Sequence, residues 1–306
     1  MAPTSAQSYD GDPRNDDALI YVNGDFVHRD RAMVSVFDAG FVLGDGVWEG
    51  LRLVNGRLLS LDAHLDRLFE GARSISLDIG MSRDEVAQAI METCAKNGFT
   101  TDTHIRLMIT RGRKSTPNQD PRFTIGGATV VIVAEIKRPR SELADRGLRL
   151  FTSTFRCSTP DVFDLHLNSH SRLNLIRALT QAIAAGADEA LMLDPMGFVA
   201  SCNSTNFFII RKGQLWTSRG LYSFNGITRG HVFRLFGEHL GSAVEKDFTL
   251  AQCYSADEAF VTGTLGGITP VSSIDGHRIG DGKPGRLTRE LSGIYWSDVE
   301  ARSQGE

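Results

Sequence analysis

The sequence predicts an α+β fold in two lobes: a small α/β lobe over residues 18–138 and a larger C-terminal lobe over residues 149–295. Three observations carry this. Two Asn-Gly pairs, Asn23-Gly24 and Asn55-Gly56, each stand between runs of β-formers, as type I′ hairpin turns require. Strand runs alternate with segments whose apolar residues fall at helical spacing. One charged stretch, KRPRSELADRG, interrupts the pattern, so residues 139–148 read as a linker.

The elements follow in order. MAPTSAQSYDGDPRNDD is polar and acidic with no apolar h-region, so residues 1–17 read as a disordered tail and not a signal peptide. LIYVNGDFVH and LRLVNGRLLSL are hairpins. DAHLDRLFEGARSISLDIG is a helix with Leu61, Leu65, Leu68 and Phe69 on one face and Asp62 as its expected cap. SRDEVAQAIMETCAKNG is a second helix, with Ser82 and Glu85 as a capping box and Gly98 as its stop. HIRLMITRG and ATVVIVAEI are strands. Beyond the linker, LRLFTSTF is a strand. Asn174 to Ala185 is a helix with Leu175, Ile176, Leu179 and Ile183 on one face. Strands follow in EALMLD, FVASCNSTNFFIIR and LWTS. GITRGHVFRLFGEHLG is a helix, and EAFVTGTLGGITPVSSIDG is two strands about a Gly-rich turn. Residues 296–306 read as a closing tail.

The bulk numbers exclude some functions. A formal charge of −4 and a pI near 6.1 make no electrostatic case for nucleic acid or an anionic membrane. No apolar run is long enough to span a bilayer. The four cysteines lie far apart without a CxxC pair, which fits reduced, buried thiols in the cytoplasm.

Two segments of the C-terminal half suit an anion. In NGITRG, Thr228 stands at a helix N-terminus, where free N–H groups and the positive dipole end favour phosphate. In VTGTLGG, Gly263, Gly266 and Gly267 let a backbone approach a ligand and Thr264 adds a hydroxyl. The plainer alternatives are an N-cap and a tight turn. Arg67, in HLDRLF, is a candidate cation for the same group.

YVNGDFV, SVFDAGFVLGDGVWEGLRL, HLDRL, GADEALMLD, NGITRG and GTLGGITPV, in this order and spacing, resemble the class IV (fold type IV) aminotransferases. The resemblance covers roughly residues 18–295. It implies the fold type IV architecture, pyridoxal 5′-phosphate as cofactor, a small amino or keto acid as substrate, and a homodimer. It implies that Arg67, Ile227, Thr228 and Thr264 hold the cofactor phosphate. Arg172 stands at the family's Arg/Tyr position and belongs with the cofactor-binding set. Arg106 and Arg111 match positions that touch substrate carboxylates in some branches, and Trp48 matches an aromatic near the substrate. For these three the alternatives are ordinary ion pairs and core packing.

The departures are as informative. Anchoring on Arg172, Leu173 and Asn174 puts Asn168 where the family has its Schiff-base lysine; an amide is neither nucleophile nor base. The nearest lysines in sequence are Lys137 and Lys212. Anchoring on Asn206 and Phe208 puts Ser201 where a glutamate faces the pyridine nitrogen. Leu43 stands where a tyrosine is usual. His170, two residues from Asn168, is the candidate replacement proton shuttle, and the plainer alternative is that His166 and His170 are structural or exposed histidines. His166 and His170 as metal ligands beside Asp164 form a weaker alternative, and no metal is expected. The expectation is an aminotransferase-like enzyme with non-standard catalysis and non-covalent cofactor. The alternatives are a silent dimeric binding homologue or a pocket reassigned to another phosphorylated ligand.

Overall fold

A computed structural model describes residues 4–305. The chain divides into two compact units. The N-terminal unit holds residues 11–138 together with 167–172 and 302–306; the C-terminal unit holds 139–166, 173–301 and the residues up to 10.

The N-terminal unit is built on a six-stranded antiparallel sheet. Its order is Asp25–His28, Leu19–Val22, Thr129–Ile136, Thr103–Thr110, Gly46–Val54 and Arg57–Leu58. Both hairpins form at the expected Asn-Gly pairs. All four turn residues have positive φ (Asn23 50°, Gly24 101°, Asn55 48°, Gly56 78°), as a type I′ turn demands. Thr103–Thr110 and Thr129–Ile136 alternate buried and half-buried residues, so one face is packed. That face meets two helices, Leu61–Ser74 and Arg83–Lys96. Leu51, Leu53, Ile105, Leu107, Ile109 and Ile132 from the sheet pack with Leu65, Leu68, Val86 and Ile90 from the helices. The capping box at Ser82 and Glu85 is present. The cap of the other helix differs from expectation. Ser60, at φ 52°, holds the N-cap position without a side-chain capping bond, its Oγ accepting from Arg302 instead, and Asp62 lies inside the first turn.

The C-terminal unit carries a nine-stranded mixed sheet. Its path is Val199–Cys202, Glu189–Leu193, Leu148–Thr152, Gly267–Ile274, Glu258–Gly263, Asn206–Arg211, Gln214–Thr217 and Ala243–Glu245, with His277–Arg278 beside Gly267–Ile274. Leu148–Thr152 is parallel to both of its neighbours. Glu189–Leu193 is buried at every position, which explains the apolar run over residues 190–193. Phe208 and Phe260 stack across the sheet at 4.9 Å between centroids. The helix Leu173–Ala184 forms as expected, but its buried residues are Ala178 and Ala182, while Leu173, Ile176 and Ile183 are exposed.

Three boundary expectations are corrected. Within the supposed tail 1–17, Tyr9–Asp10 is a strand and Pro13–Asn15 a 3-10 helix. Asn15 is buried there: its Nδ2 donates to Ile136 O at 2.9 Å, and its Oδ1 accepts from Ile136 N at 2.8 Å. Residues 1–3 lie outside the described residues. The linker 139–148 contains the helix Glu142–Arg146, whose Leu143 enters the core. Within the closing tail 296–306, residues 296–304 belong to the helix Arg286–Gln304.

Candidate active site

In the N-terminal unit the helix-facing side of Gly46–Val54 presents Glu49, which is 0% exposed. A bare carboxylate there would be prohibitive, and it is matched by two partners. Arg67 donates from Nε and Nη2 at 2.7 Å each, and His64 Nδ1 lies 2.7 Å from Oε2. Burial pushes the Glu49 carboxyl up, but the Arg67 and His64 bonds outweigh it and the net shift is downward.

The other side of the same strands presents Trp48 and Arg106. Arg106 is paired with Gly50, where a Cβ would meet His104 and Trp48, and its guanidinium lies over Trp48, 3.3 Å from the ring centroid. Burial brings Arg106 down to about 10, so it stays cationic at neutral pH. Among the described residues the Arg106 side chain has no ion pair and no hydrogen bond. Arg111, five residues on, is committed. Its Nε and Nη2 pair with Asp45 at 2.6 and 3.0 Å, and it donates to Ser76 O and Ile75 O. The two arginines look alike in sequence, and the structure separates them: Arg111 is tied to Asp45, and the Arg106 side chain lies on Trp48.

Residues 167–172 pair with the start of the Gly46 strand. Trp48 N donates to Asn168 O at 2.8 Å, His170 N donates to Gly46 O at 3.0 Å, and Val47 bridges Ser169. Trp48 Nε1 donates to Ser169 O at 3.0 Å. Asn168 is therefore placed by backbone bonds, and at 4% exposure it is buried. Its Oδ1 accepts from Arg172 Nη2, which orients the amide. Burial, then the charges of Arg106 and Arg67, bring Arg172 down to about 10. His170 lies against Gly46: a Cβ on Gly46 would stand 2.7 Å from His170 Cδ2. Its Nε2 is buried without a hydrogen-bond partner. Burial and the positive Arg106 lower its pKa and keep the ring neutral. His166, in the other unit, is held by Asp164 at 2.7 Å and Gly220 O at 2.8 Å. Among the described residues no group of three or more His, Cys, Asp or Glu can hold a metal.

Sequence reasoning passed over His104, which titrates in this unit. Burial, then the charges of Lys137, Arg106 and Arg52, bring it down to about 3. The unfolded chain takes up this proton near pH 6.5. Its stability contribution is therefore complete above about pH 6.5 and is lost as pH falls towards 3. Urea titrations at a series of acidic pH values should show His104→Leu losing about 1.4 kcal/mol per pH unit from the wild-type slope. An unchanged slope contradicts this.

In the C-terminal unit the helix Ile227–His239 begins after Gly226, which offers no side-chain cap. Its first turn, with Ile227 and Thr228, therefore keeps backbone N–H groups for an anion. Thr228 is buried, as is Ser223 just ahead of the helix, whose Oγ has no partner. Thr264 sits in the turn between Glu258–Gly263 and Gly267–Ile274. Gly266 and Gly267 serve the chain's own contacts, since Cβ atoms there would crowd Ala6 O, Tyr295 and Trp296. Ser201 Oγ donates to Thr205 O at 2.8 Å. Its proton is thereby committed, and towards any ligand Ser201 is an acceptor alone.

The family model for amino-transferase class IV matches residues 46–274. This chain belongs to the class IV aminotransferases. It is 33% identical over 297 residues to a branched-chain-amino-acid aminotransferase of Pseudomonas aeruginosa, covering 94% of this chain and 95% of that protein. It is 39% identical over 283 residues to the branched-chain-amino-acid aminotransferase-like protein 2 of Arabidopsis thaliana, covering 92% of this chain; the chain spans about half, 50%, of that relative's length. Among solved structures, the branched-chain amino acid aminotransferase of Thermobaculum terrenum in its PLP-form superposes with a TM-score of 0.82 at 27% identity, covering 94% of this chain and 95% of that one. The mixed α+β architecture is the fold type IV one. Among the described residues no helix is long and apolar enough to cross a membrane.

Proposed function

We propose that the chain is a pyridoxal 5′-phosphate enzyme acting on a small amino or keto acid, and that it holds the cofactor without a covalent link. The observation that carries this is Asn168. It stands at the family's lysine position, buried, with its amide oxygen taken by Arg172. The residues present suit the phosphate: an uncapped helix start at Ile227 and Thr228, an orphaned hydroxyl at Ser223, and Thr264. Arg67 is assigned to the same group by family likeness. When bound, the cofactor supplies an electron-withdrawing ring. Ser201, its own proton donated to Thr205 O, could only accept a bond from a protonated ring nitrogen and would give that positive charge little support. Arg106, lying over Trp48 with no acidic side chain paired to it, takes the substrate carboxylate. His170 carries the proton, because its Nε2 is buried, neutral and unpartnered.

The chain is proposed as a cytoplasmic homodimer. Its four cysteines are free and buried. Each unit exposes apolar side chains that a second copy can cover: Met33, Val36 and Phe41 in one, Leu173, Ile176 and Ile183 in the other. Light scattering at micromolar concentration tests the dimer.

The deciding experiment is the absorbance spectrum and intact mass of the chain with pyridoxal 5′-phosphate, before and after borohydride. Spectral uptake without an added mass supports the proposal. A reduced adduct on any lysine of the wild-type chain overturns the role given to Asn168. Uptake without turnover on a panel of amino donors favours the silent binding homologue. If His170 moves the proton, His170→Gln lowers any measured turnover by about 10²–10⁴-fold. It should leave cofactor affinity unchanged, whereas loss of both indicates a structural role.

A further inference from the structure

The Gly-rich turn at 263–267 is gripped by its own chain. A Cβ on Gly266 would stand 3.0 Å from Ala6 O, and one on Gly263 would stand 3.4 Å from Gln7 Nε2. On the far side, a Cβ on Gly267 would stand 2.7 Å from Tyr295 Cε1 and 2.9 Å from Trp296 Cζ2. Ala6 is a buried member of the C-terminal unit's core. Its N–H donates to Glu189 Oε1 at 2.7 Å, while Glu189 Oε2 accepts from Thr205 Oγ1 at 2.8 Å. Glu189 is 0% exposed, so these donors meet a carboxylate that water does not reach. The segment also closes on itself: Ser5 N donates to Ser8 Oγ and Ser8 N to Ser5 O, both at 2.9 Å.

We propose that residues 5–8 form a clasp, anchored on Glu189 as a positioning residue, that holds the 263–267 turn in its ligand-ready shape. A turn with three glycines loses more backbone freedom on ordering than any other composition. Contacts that order it beforehand spare an incoming phosphate that cost. The link to phosphate rests on the functional reading above; the clasp itself does not.

Hydrogen exchange over 263–267 tests it, with the strand Asn206–Arg211 of the same protein as internal reference. The variants are a chain lacking residues 2–8 and Ala6→Pro, which removes the one N–H donated to Glu189. In both, exchange of the turn is expected to rise by about tenfold relative to the strand. Glu189→Ala should match them, and Glu189→Gln, which keeps an acceptor for Ala6, should match the full chain. No rise, or an equal rise in turn and strand, overturns the clasp. Equilibrium dialysis with pyridoxal 5′-phosphate should show Kd rising about tenfold in the same variants. A loosened turn with unchanged Kd removes the effect on the ligand. If the full chain takes up no pyridoxal 5′-phosphate, the functional reading fails while exchange still decides the clasp.

Discussion

Glu49→Ala is expected to destabilise the N-terminal unit by about 3–5 kcal/mol, because it leaves a mostly buried guanidinium without its counter-charge. Glu49 is fully buried and receives two bonds from Arg67 and one from His64. A charge pair of this kind contributes little beyond the desolvation it offsets, yet removing one member exposes the whole penalty of the other. The pH dependence has a definite sign. The Glu49 carboxyl is held below its ordinary value despite burial, so its contribution is present above the unfolded carboxylate range. It is lost as pH falls through the lowered folded value. Urea unfolding at neutral pH measures the first effect, and a loss under about 1 kcal/mol would falsify it. Glu49→Gln should retain part of the stability, since its amide oxygen still accepts from Arg67.

Asn168→Lys is expected to gain a borohydride-stable mass with pyridoxal 5′-phosphate where the wild-type chain gains none. The backbone at 168 is fixed by Trp48, so a longer side chain starts from the same place. Burial and the charges of Arg172 and Arg106 favour the neutral amine, which is the nucleophilic form. The replacement also deletes one of the two acceptors of Arg172 Nη2, leaving Leu167 O, so stability should fall by about 1–3 kcal/mol. A variant that folds and takes up the cofactor without gaining mass shows that position 168 does not face the reacting carbon. That outcome would remove the basis of the functional proposal.

The legible features share one property: their causes are local in sequence. The Asn-Gly turns need positive φ at adjacent residues, and the Ser82 capping box closes within one helical turn. The missed features depend on distant partners. Asn15 looks like part of a polar tail until Ile136 offers it a donor and an acceptor 121 residues away. Leu175, Ile176, Leu179 and Ile183 look like a core face, but the small Ala178 and Ala182 are the buried residues, Leu175 packs only partly against the core, and Ile176 and Ile183 are exposed.

Family membership is legible in residue identity and motif order alone, and the placing of Asn168 at the family's lysine position is our proposal from the same register. A register anchored on Arg172, Leu173 and Asn174 needs no coordinates. Tertiary structure decided which charges are spent and which remain available. Arg111 is tied to Asp45, while Arg106 lies on Trp48 without an anion. It also decided that residues 167–172 join the N-terminal unit, although the chain on both sides belongs to the other one. The physical reason is hydrogen-bond accounting. Backbone groups of Asn168 and His170 are satisfied by Trp48 and Gly46, roughly 120 residues earlier, and no local pattern encodes that pairing.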